Sequence, residues 1–422
     1  MISKYKANFI SGVLVSFIAL PLCIAIANAS SFPIMSGIIT AIIGGLIVSQ
    51  LSGNKLAING PAAGLIVIVL DSVERLGNGN DYQGYLYTLG AIVIASILQF
   101  ITSFTKIPIL MRKFPECIIR GMMMSIGLIV FLKQFFILTN YQTPKVSIIE
   151  FFKYLYLAIL GMQIENFLIG LFVIITILFW KNILEKKHKI FKVIPIYLFV
   201  IISGIIIAHF IDLKNNQHFL FKEFAHPAPD NFVHISSHIR EALNLPNFSL
   251  ILTYKFWFSV ITIYAVATIE TVLSSIALDK IAKTHTELKK DLRAVSFGNF
   301  ICGMCGGLPM ITEIVRSTAN VNYGADNKFS NFTHGLSLLL MIVFLNNYLN
   351  LIPLSVLSAM LILISINMIN VKLFIKIFYK NKKEFFIILA IIFTTIYIDL
   401  LVGVGVGTIL HFVIKKLFKE TF

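Results

Sequence analysis

Long apolar runs dominate this 422-residue chain and leave it one class of fold. Phe9–Ala27, Leu86–Phe104, Ile118–Phe136, Phe167–Trp180, Val193–Phe210, Phe256–Leu278, Phe332–Leu345 and Pro353–Ile369 reach or approach the roughly 20 apolar residues that a transmembrane helix needs. Phe385–Val413 is long enough for two spans with a break near Asp399. Hydrophobic residues make up 57% of the chain, charged residues 13%, and the mean hydropathy is +0.87, well outside the range of soluble domains. Inside a bilayer each backbone polar group must find a partner within the chain, so the spans are helices. No low-complexity segment interrupts them, and no stretch is left for a soluble domain of useful size. Lys4 and Lys6 precede a full-length first run that lacks a small-residue cleavage site, so that helix is expected to be a retained anchor.

The net charge of +15 is placed like that of a membrane protein, not a nucleic-acid binder. Most basic residues cluster in short loops: Lys4 and Lys6; Lys106, Arg112 and Lys113; Lys181, Lys186, Lys187, Lys189 and Lys192; Lys280, Lys283, Lys289, Lys290 and Arg293; Lys372, Lys376, Lys380, Lys382 and Lys383; Lys415, Lys416 and Lys419. Cytoplasmic loops carry such an excess. Taking these clusters as cytoplasmic gives four crossings or half-crossings before Lys106, two between Lys113 and Lys181, and two between Lys192 and Lys280. Three more lie between Arg293 and Lys372, with Lys328 as a further inner loop, and two follow Lys383. Both termini come out cytoplasmic, in the cell membrane. The cleanest parse is about fourteen segments, seven in each half. An odd number per half makes the halves enter from opposite sides, which is an inverted repeat.

Two short stretches opened by a proline motif sit at matching places in the halves. One is Ile58-Asn59-Gly60-Pro61-Ala62-Ala63-Gly64, running to about Leu70; the other is Gly306-Gly307-Leu308-Pro309-Met310-Ile311-Thr312-Glu313, running to about Asn320. Each is too short to span. Paired interrupted segments of this kind mark a transporter's midplane site, where half-helix N-termini direct their positive dipole ends at a substrate.

Ionisable residues in spans are costly and usually functional. Glu270 sits in mid-run, and Glu313 and Arg316 follow Pro309. Asp399 is explained by a break in the last run; Glu116, Arg120 and Lys133 lie near the ends of one span and can snorkel. The polar stretch Asp212–Asn247 joins the halves on the outside and holds His218, His226, His234 and His238. It reads as a solvated loop, with no carboxylate or Cys arranged beside the histidines to complete a metal site. Cys302 and Cys305 have metal or redox spacing but lie in an apolar Gly-rich helix without a second pair, where small residues allow close packing. Cys23 and Cys117 read as core residues.

Four blocks carry a resemblance: Leu20-Pro21…Ala25; Asn59-Gly60-Pro61-Ala62-Ala63; Glu270-Thr-Val-Leu-Ser-Ser-Ile-Ala-Leu-Asp279-Lys280; and Gly298-Asn299…Gly306-Gly307-Leu308-Pro309…Arg316-Ser317…Asn320. In this order, over nearly the whole chain, they resemble the sulfate permease (SulP) family of anion transporters. The resemblance implies an all-α seven-plus-seven inverted repeat, divided into a core domain (about 1–112 and 252–345) and a gate domain (about 113–251 and 346–422). It implies a site between the N-termini of the third and tenth segments, beside the first and eighth. Three features depart from the pattern. The chain stops soon after its last helix, where many members continue into a STAS domain, so no STAS domain is expected. Leu22 and Ile26 stand where sulfate-type members have Gln and Tyr, closer to the bicarbonate-type members. Glu313 stands where small or hydroxyl residues usually meet the anion, and a carboxylate there repels an anion unless it is protonated, paired with Arg316 or neutralised by a cation.

The expected substrate site is therefore Pro21, Ala62, Ala63, Gly64, Thr312, Glu313 and Arg316. Unpaired N–H groups after Pro61 and Pro309 act as donors and Arg316 as a fixed positive charge. Glu270, Ser274 and Glu313 offer oxygen ligands to a coupling ion, with Glu270 as the expected Na⁺ ligand. The reading is a cation-coupled (Na⁺ or H⁺) bicarbonate transporter, with sulfate, another oxyanion or dicarboxylate, or uncoupled exchange as the alternatives. It is not an enzyme, since no triad or metal cluster is found; it needs no cofactor beyond Na⁺ as the candidate coupling ion. Its partners are the bilayer, the anion and a second copy in a homodimer, with no nucleic acid. A nucleobase permease shares the architecture, but the Arg after the tenth-segment proline and the four blocks argue against it.

Overall fold

The computed structural model describes residues 2–142, 148–188, 191, 194–215, 217–227, 230–234 and 243–418. Lys189, Lys192, His238 and Lys419, named above, lie outside them. The first half comprises α1 (Ile2–Ala29), α2 (Ile34–Leu51), β1 (Asn59–Pro61), α3 (Ile66–Gly77), α4 (Asp81–Phe104), α5 (Glu116–Leu138), α6 (Ile148–Leu160), α7 (Ile164–Lys187) and α8 (Ile196–Phe210). The second comprises α9 (Tyr254–Ala282), α10 (Leu288–Met304), β2 (Met310–Thr312), α11 (Ile314–Asn322), α12 (Phe329–Leu349), α13 (Leu354–Ile369), α14 (Val371–Lys380), α15 (Lys382–Tyr397) and α16 (Leu400–Phe418). Eight helices among the described residues are long and apolar enough to cross a membrane.

The elements pair off between the halves. In each, two helices precede a strand with a short helix, and four further membrane segments follow. Between the fifth and sixth segments each half inserts an extra helix, α6 in the first and α14 in the second. That makes fourteen segments in two sevens, with the broken ones third and tenth. One count in the sequence reading is corrected: four segments, not three, lie between the basic cluster at Lys280–Arg293 and Lys372, because α10 is a segment of its own. Lys289, Lys290, Asp291 and Arg293 fall in its first two turns and hide it from a search for apolar runs.

Helix ends follow local chemistry. Pro33, Pro115, Pro195 and Pro353 stand at the N-caps of α2, α5, α8 and α13, where φ is preset and no N–H is missed. Asn78, Lys283 and Asn370 end α3, α9 and α13 in the left-handed conformation. Lys328, in the loop before α12, donates to the carbonyls of Gln50 (2.9 Å) and Ser52 (2.8 Å) and so satisfies the C-terminal end of α2. In packing, α4 runs against α3, α9 and α10, and α1 against α2 and α12; separately, α5 runs against α13, α15 and α16, and α13 against α7.

Candidate functional site: the crossing of two broken segments

β1 and β2 pair antiparallel, with Asn59 opposite Thr312, Gly60 opposite Ile311 and Pro61 opposite Met310. The Glu313 N–H extends the ladder to the Ile58 carbonyl at 2.9 Å. Each strand turns directly into its helix, β1 through a 3₁₀ turn at Ala63–Leu65 and β2 through Glu313. Antiparallel pairing therefore sets the N-termini of α3 and α11 on either side of one centre with opposed axes. A two-stranded ladder has two open edges, which are costly in a membrane interior. Asn299 of α10 closes one: its Oδ1 accepts from Met310 N–H (2.6 Å) and its Nδ2 donates to Met310 O (3.1 Å). Ser317 Oγ accepts from Ile58 N–H at 2.9 Å, and Asn320 and Asn331 donate to the carbonyls of Leu56 and Ala57.

A cavity of about 460 Å³ lies at this centre. Ala62, Ala63, Gly64, Ile311, Glu313, Glu270 and Ser274 line one side; Met122–Met124 of α5, and Ile364, Asn367 and Met368 of α13 with Asn370, line the other. Arg120 and Lys181 also reach it. A larger recess of about 1070 Å³ borders it and shares Lys181, Tyr197, Ile314 and Val315 as lining; it is bounded further by α1 and by Thr318, Asn322 and Tyr323. At the far end of α3, ion pairs cross a smaller cavity of about 230 Å³. Arg75 bonds Asp71 (2.8 Å) and reaches Asp399 (3.3 Å) in the turn between α15 and α16, while Lys133 of α5 lies 3.7 Å from Glu74. Burial there raises the Asp399 carboxyl above its ordinary range, with the Leu401 N–H (2.7 Å) and Arg75 acting against the shift.

Of the residues expected at the substrate site, Ala62, Ala63, Gly64 and Glu313 meet the cavity, as do the expected coupling residues Glu270 and Ser274. Pro21 lies buried in α1 and does not line it. Thr312 points the other way: its Oγ1 lies 3.2 Å from Asn59 Oδ1 and 3.4 Å from Asp291 Oδ2. Strand alternation accounts for this, since Ile311 and Glu313 share the cavity face and Met310 and Thr312 the other.

Arg316 is fully buried behind the strands rather than in the cavity. Its Nη2 donates to the Pro61 carbonyl and its Nη1 to Cys23 Sγ at 3.4 Å, so one guanidinium in the first turn of α11 ties β1 to α1. Gly60 makes room for it: a Cβ there would sit 2.7 Å from Nη1. Arg316 Nε is 3.9 Å from Glu313 Oε2. Glu313 is also the N-cap of α11, where Oε2 accepts from the Val315 N–H at 3.2 Å. Glu270 lies directly against Gly64; a Cβ there would come within 1.9 Å of Oε1, an oxygen with no hydrogen-bond partner among the described residues. Glu270 and Ser274 both line the cavity, and a buried carboxylate oxygen without a partner suits a hard cation or a proton.

Asp291 escaped the sequence reading. It is buried in α10 and accepts from Ser52 and from Ser275 (2.6 Å). Glu116, Arg120 and Lys133, read as snorkelling, are paired: Arg120 bonds Glu116 (2.5 Å) and lies 3.7 Å from Glu384. In the loop after α8, His218 Nδ1 lies 2.5 Å from Glu165 Oε1 and His234 Nε2 3.1 Å from Asp230, so carboxylates do stand beside two of the histidines. Among the described residues no group of three His, Cys, Asp or Glu side chains can hold a metal, and all four cysteines are free.

Broken segments crossing at a strand pair between two helix groups define a membrane transporter of inverted-repeat type. The sulfate permease family model matches residues 5–391, and the chain belongs to that family, whose members transport anions. The putative sulfate transporter YvdB of Bacillus subtilis is 23% identical over all of this chain and 76% of its own length. The bicarbonate transporter BicA of Picosynechococcus is 22% identical over 95% of this chain and 68% of its own. Among solved structures, the transmembrane domain of a cyanobacterial BicA superposes with a TM-score of 0.79 at 21% identity, covering 95% of this chain and 97% of that one. Murine Slc26a9 in an inward-facing state superposes with 0.83 at 14% identity, covering 99% and 69%.

Proposed function

We propose that this chain is a secondary active transporter that couples uptake of a small inorganic anion, bicarbonate first, to Na⁺ or H⁺. The observation that carries the reading is the cavity's composition. Small residues at the α3 N-terminus let an anion approach backbone N–H groups, and two carboxylates, Glu270 and Glu313, line the same side of the cavity, Glu270 directly against Gly64. Two ionised carboxylates and an anion repel one another unless a cation or proton joins them. A cation bound between Glu270 and Ser274 makes anion and cation raise each other's affinity equally, as linkage requires. It also offsets the cost of moving an anion inward against an inside-negative potential, ~2.3 kcal/mol per charge per 100 mV.

In this reading residues 1–112 and 252–345 form the core that carries the site, and 113–251 and 346–422 the gate it moves against. Both termini face the cytoplasm, as does the recess at Lys181 and Tyr197. The chain then stands inward-open, and the Arg75–Asp399 and Lys133–Glu74 pairs part when it turns outward. A homodimer through the gate is the proposed assembly. Sulfate is the second reading, favoured by the description of the Bacillus relative. The test is uptake into proteoliposomes of bicarbonate, sulfate, chloride and fumarate across a range of Na⁺ concentrations at several fixed pH values. Bicarbonate uptake that rises with Na⁺ or with a proton gradient is expected. Uptake indifferent to both overturns the coupling, and sulfate uptake without bicarbonate uptake overturns the substrate.

A further inference from the structure

Helix α14 divides its surface into three faces. With successive residues about 100° apart around a helix, Leu373, Phe374 and Ile377 share one face, Val371, Ile375, Phe378 and Tyr379 a second, and Lys372, Lys376 and Lys380 a third. The first face packs inward: Ile377 is buried in a cluster with Cys117 and Ile118 of α5 and Ile387 of α15, and the Phe374 ring lies 4.9 Å from Phe385. The second is apolar yet exposed, with Val371 at 53%, Ile375 at 50% and Tyr379 at 78%. The third is purely basic, and among the described residues no carboxylate pairs with its three lysines. The α5 end against which α14 packs directly follows the basic cluster Lys106–Lys113, so the helix lies at a lysine-rich end of the bundle.

A helix with one face on protein, one apolar face outward and a lysine row between lies in the plane of a membrane interface. We infer that α14 is a binding surface for anionic phospholipids, with the acyl chains against Val371, Ile375 and Tyr379 and the headgroup phosphates on Lys372, Lys376 and Lys380. The counterpart helix in the other half, α6, which the inverted repeat places at the opposite membrane face, has a single lysine, Lys153, and an acid, Glu150, so the lysine row is not shared by the two halves. Lipid bound here also bears on the cavity, because Leu373 and the Asn370 cap that starts α14 both line it.

Lipid retention by the full-length protein tests the inference without relying on transport. The protein is purified from mixed phosphatidylglycerol and phosphatidylcholine nanodiscs and the retained lipids are counted by native mass spectrometry. Each lysine near the surface contributes about 1 kcal/mol towards anionic lipid, so the triple variant Lys372→Gln, Lys376→Gln, Lys380→Gln should lose tightly held phosphatidylglycerol roughly tenfold or more. The triple Arg variant should keep it, and Lys280→Gln, Lys283→Gln, Lys289→Gln should change it little. Equal retention in the α14 Gln variant, or equal loss in the control triple, overturns the assignment, the latter pointing to a diffuse field. Soluble glycerophosphate should not compete; if it displaces the lipid at millimolar concentration, the lysines form a soluble-anion site instead. As a functional arm, the ratio of anion uptake in phosphatidylglycerol to phosphatidylcholine vesicles should fall towards one in the α14 Gln variant.

Discussion

β1 enters α3 through Ala62, Ala63 and Gly64, and β2 enters α11 through Glu313, yet the two strands are hydrogen-bonded partners in a single ladder. The α3 entrance has no side chain larger than a methyl and leaves its N–H groups facing a cavity. The α11 entrance is closed by its own residues: Glu313 caps it, and Arg316 in its first turn reaches back across the strands to Pro61. An inverted repeat thus supplies two equivalent helix N-termini, and in the proposed reading the side chains make one a receptor and the other a brace. The brace serves the receptor, since the Arg316 guanidinium holds the last carbonyl of β1, immediately before Ala62.

If that division is right, Arg316→Ala should do the most damage, and should do it to both entrances. Removing one partner of a buried charge-assisted network costs about 3–5 kcal/mol. The Pro61 carbonyl and Cys23 lose their donor and Glu313 loses the nearest positive charge. Thermal unfolding in detergent should shift down by several degrees and anion uptake should fall to background. Arg316→Lys, which keeps the charge but not the fork, should recover stability in part and uptake hardly at all. Wild-type uptake in Arg316→Ala would break the comparison, because the two entrances would then be independent.

Gly64→Ala comes next and addresses the receptor side. The added Cβ would fall 1.9 Å from Glu270 Oε1, so the carboxylate must move or the 3₁₀ turn must open. Uptake should drop at least tenfold. The double variant Gly64→Ala, Glu270→Ala should unfold at a higher temperature than the sum of the two single effects implies, since removing the carboxylate relieves the clash. Strict additivity would mean that the two groups do not touch.

The broken segments were legible as a pair because proline motifs recur at matching places; of the residues that line the cavity, Glu270 and Glu313 stood out because charge is scarce in apolar runs, and Ala62, Ala63 and Gly64 because they follow the first proline motif. What stayed hidden was direction. Thr312 and Glu313 are neighbours, and only the strand register decides that Glu313 meets the cavity and Thr312 meets Asn59. Arg316 was visible as a charge beside a helix start, but its side chain points back into the strands. Asp291 was missed because its partners are remote in sequence, Ser52 lying 239 residues away, and because its own helix begins with enough charge to look like a loop.

Glu270→Gln separates coupling from architecture. Gln fills the same space against Gly64 and keeps a carbonyl oxygen, so the fold and the α3 entrance should survive with unfolding temperature little changed. What is lost is the negative charge that would hold Na⁺ or take a proton. Uptake should continue at a reduced rate and lose its dependence on Na⁺ or pH, measured by fixing one and scanning the other. Retained dependence would move the coupling to Glu313, on the brace, and blur the distinction between the entrances.

The smallest effect is expected at Glu313, and it sharpens the comparison most finely. Its carboxylate has two separable roles, a cap on α11 and a negative charge at the cavity. Glu313→Gln keeps an oxygen that can accept the Val315 N–H, so stability should change by a few tenths of a kcal/mol. Glu313→Ala removes the cap and should cost about 1 kcal/mol, the usual value of an N-cap. Both variants remove the charge, which should tighten anion binding in each, read as a lower half-saturating anion concentration at fixed Na⁺. The Ala variant alone bares the α11 N-terminus to the cavity and so makes the second entrance resemble the first. If the Glu313 cap is what keeps the α11 N-terminus from acting as a second receptor, Glu313→Ala should then bind anion more tightly than Glu313→Gln while being the less stable of the two. Equal affinities would mean that the α11 N-terminus takes no part in holding the anion even when its cap is gone, and that α3 alone is the receptor.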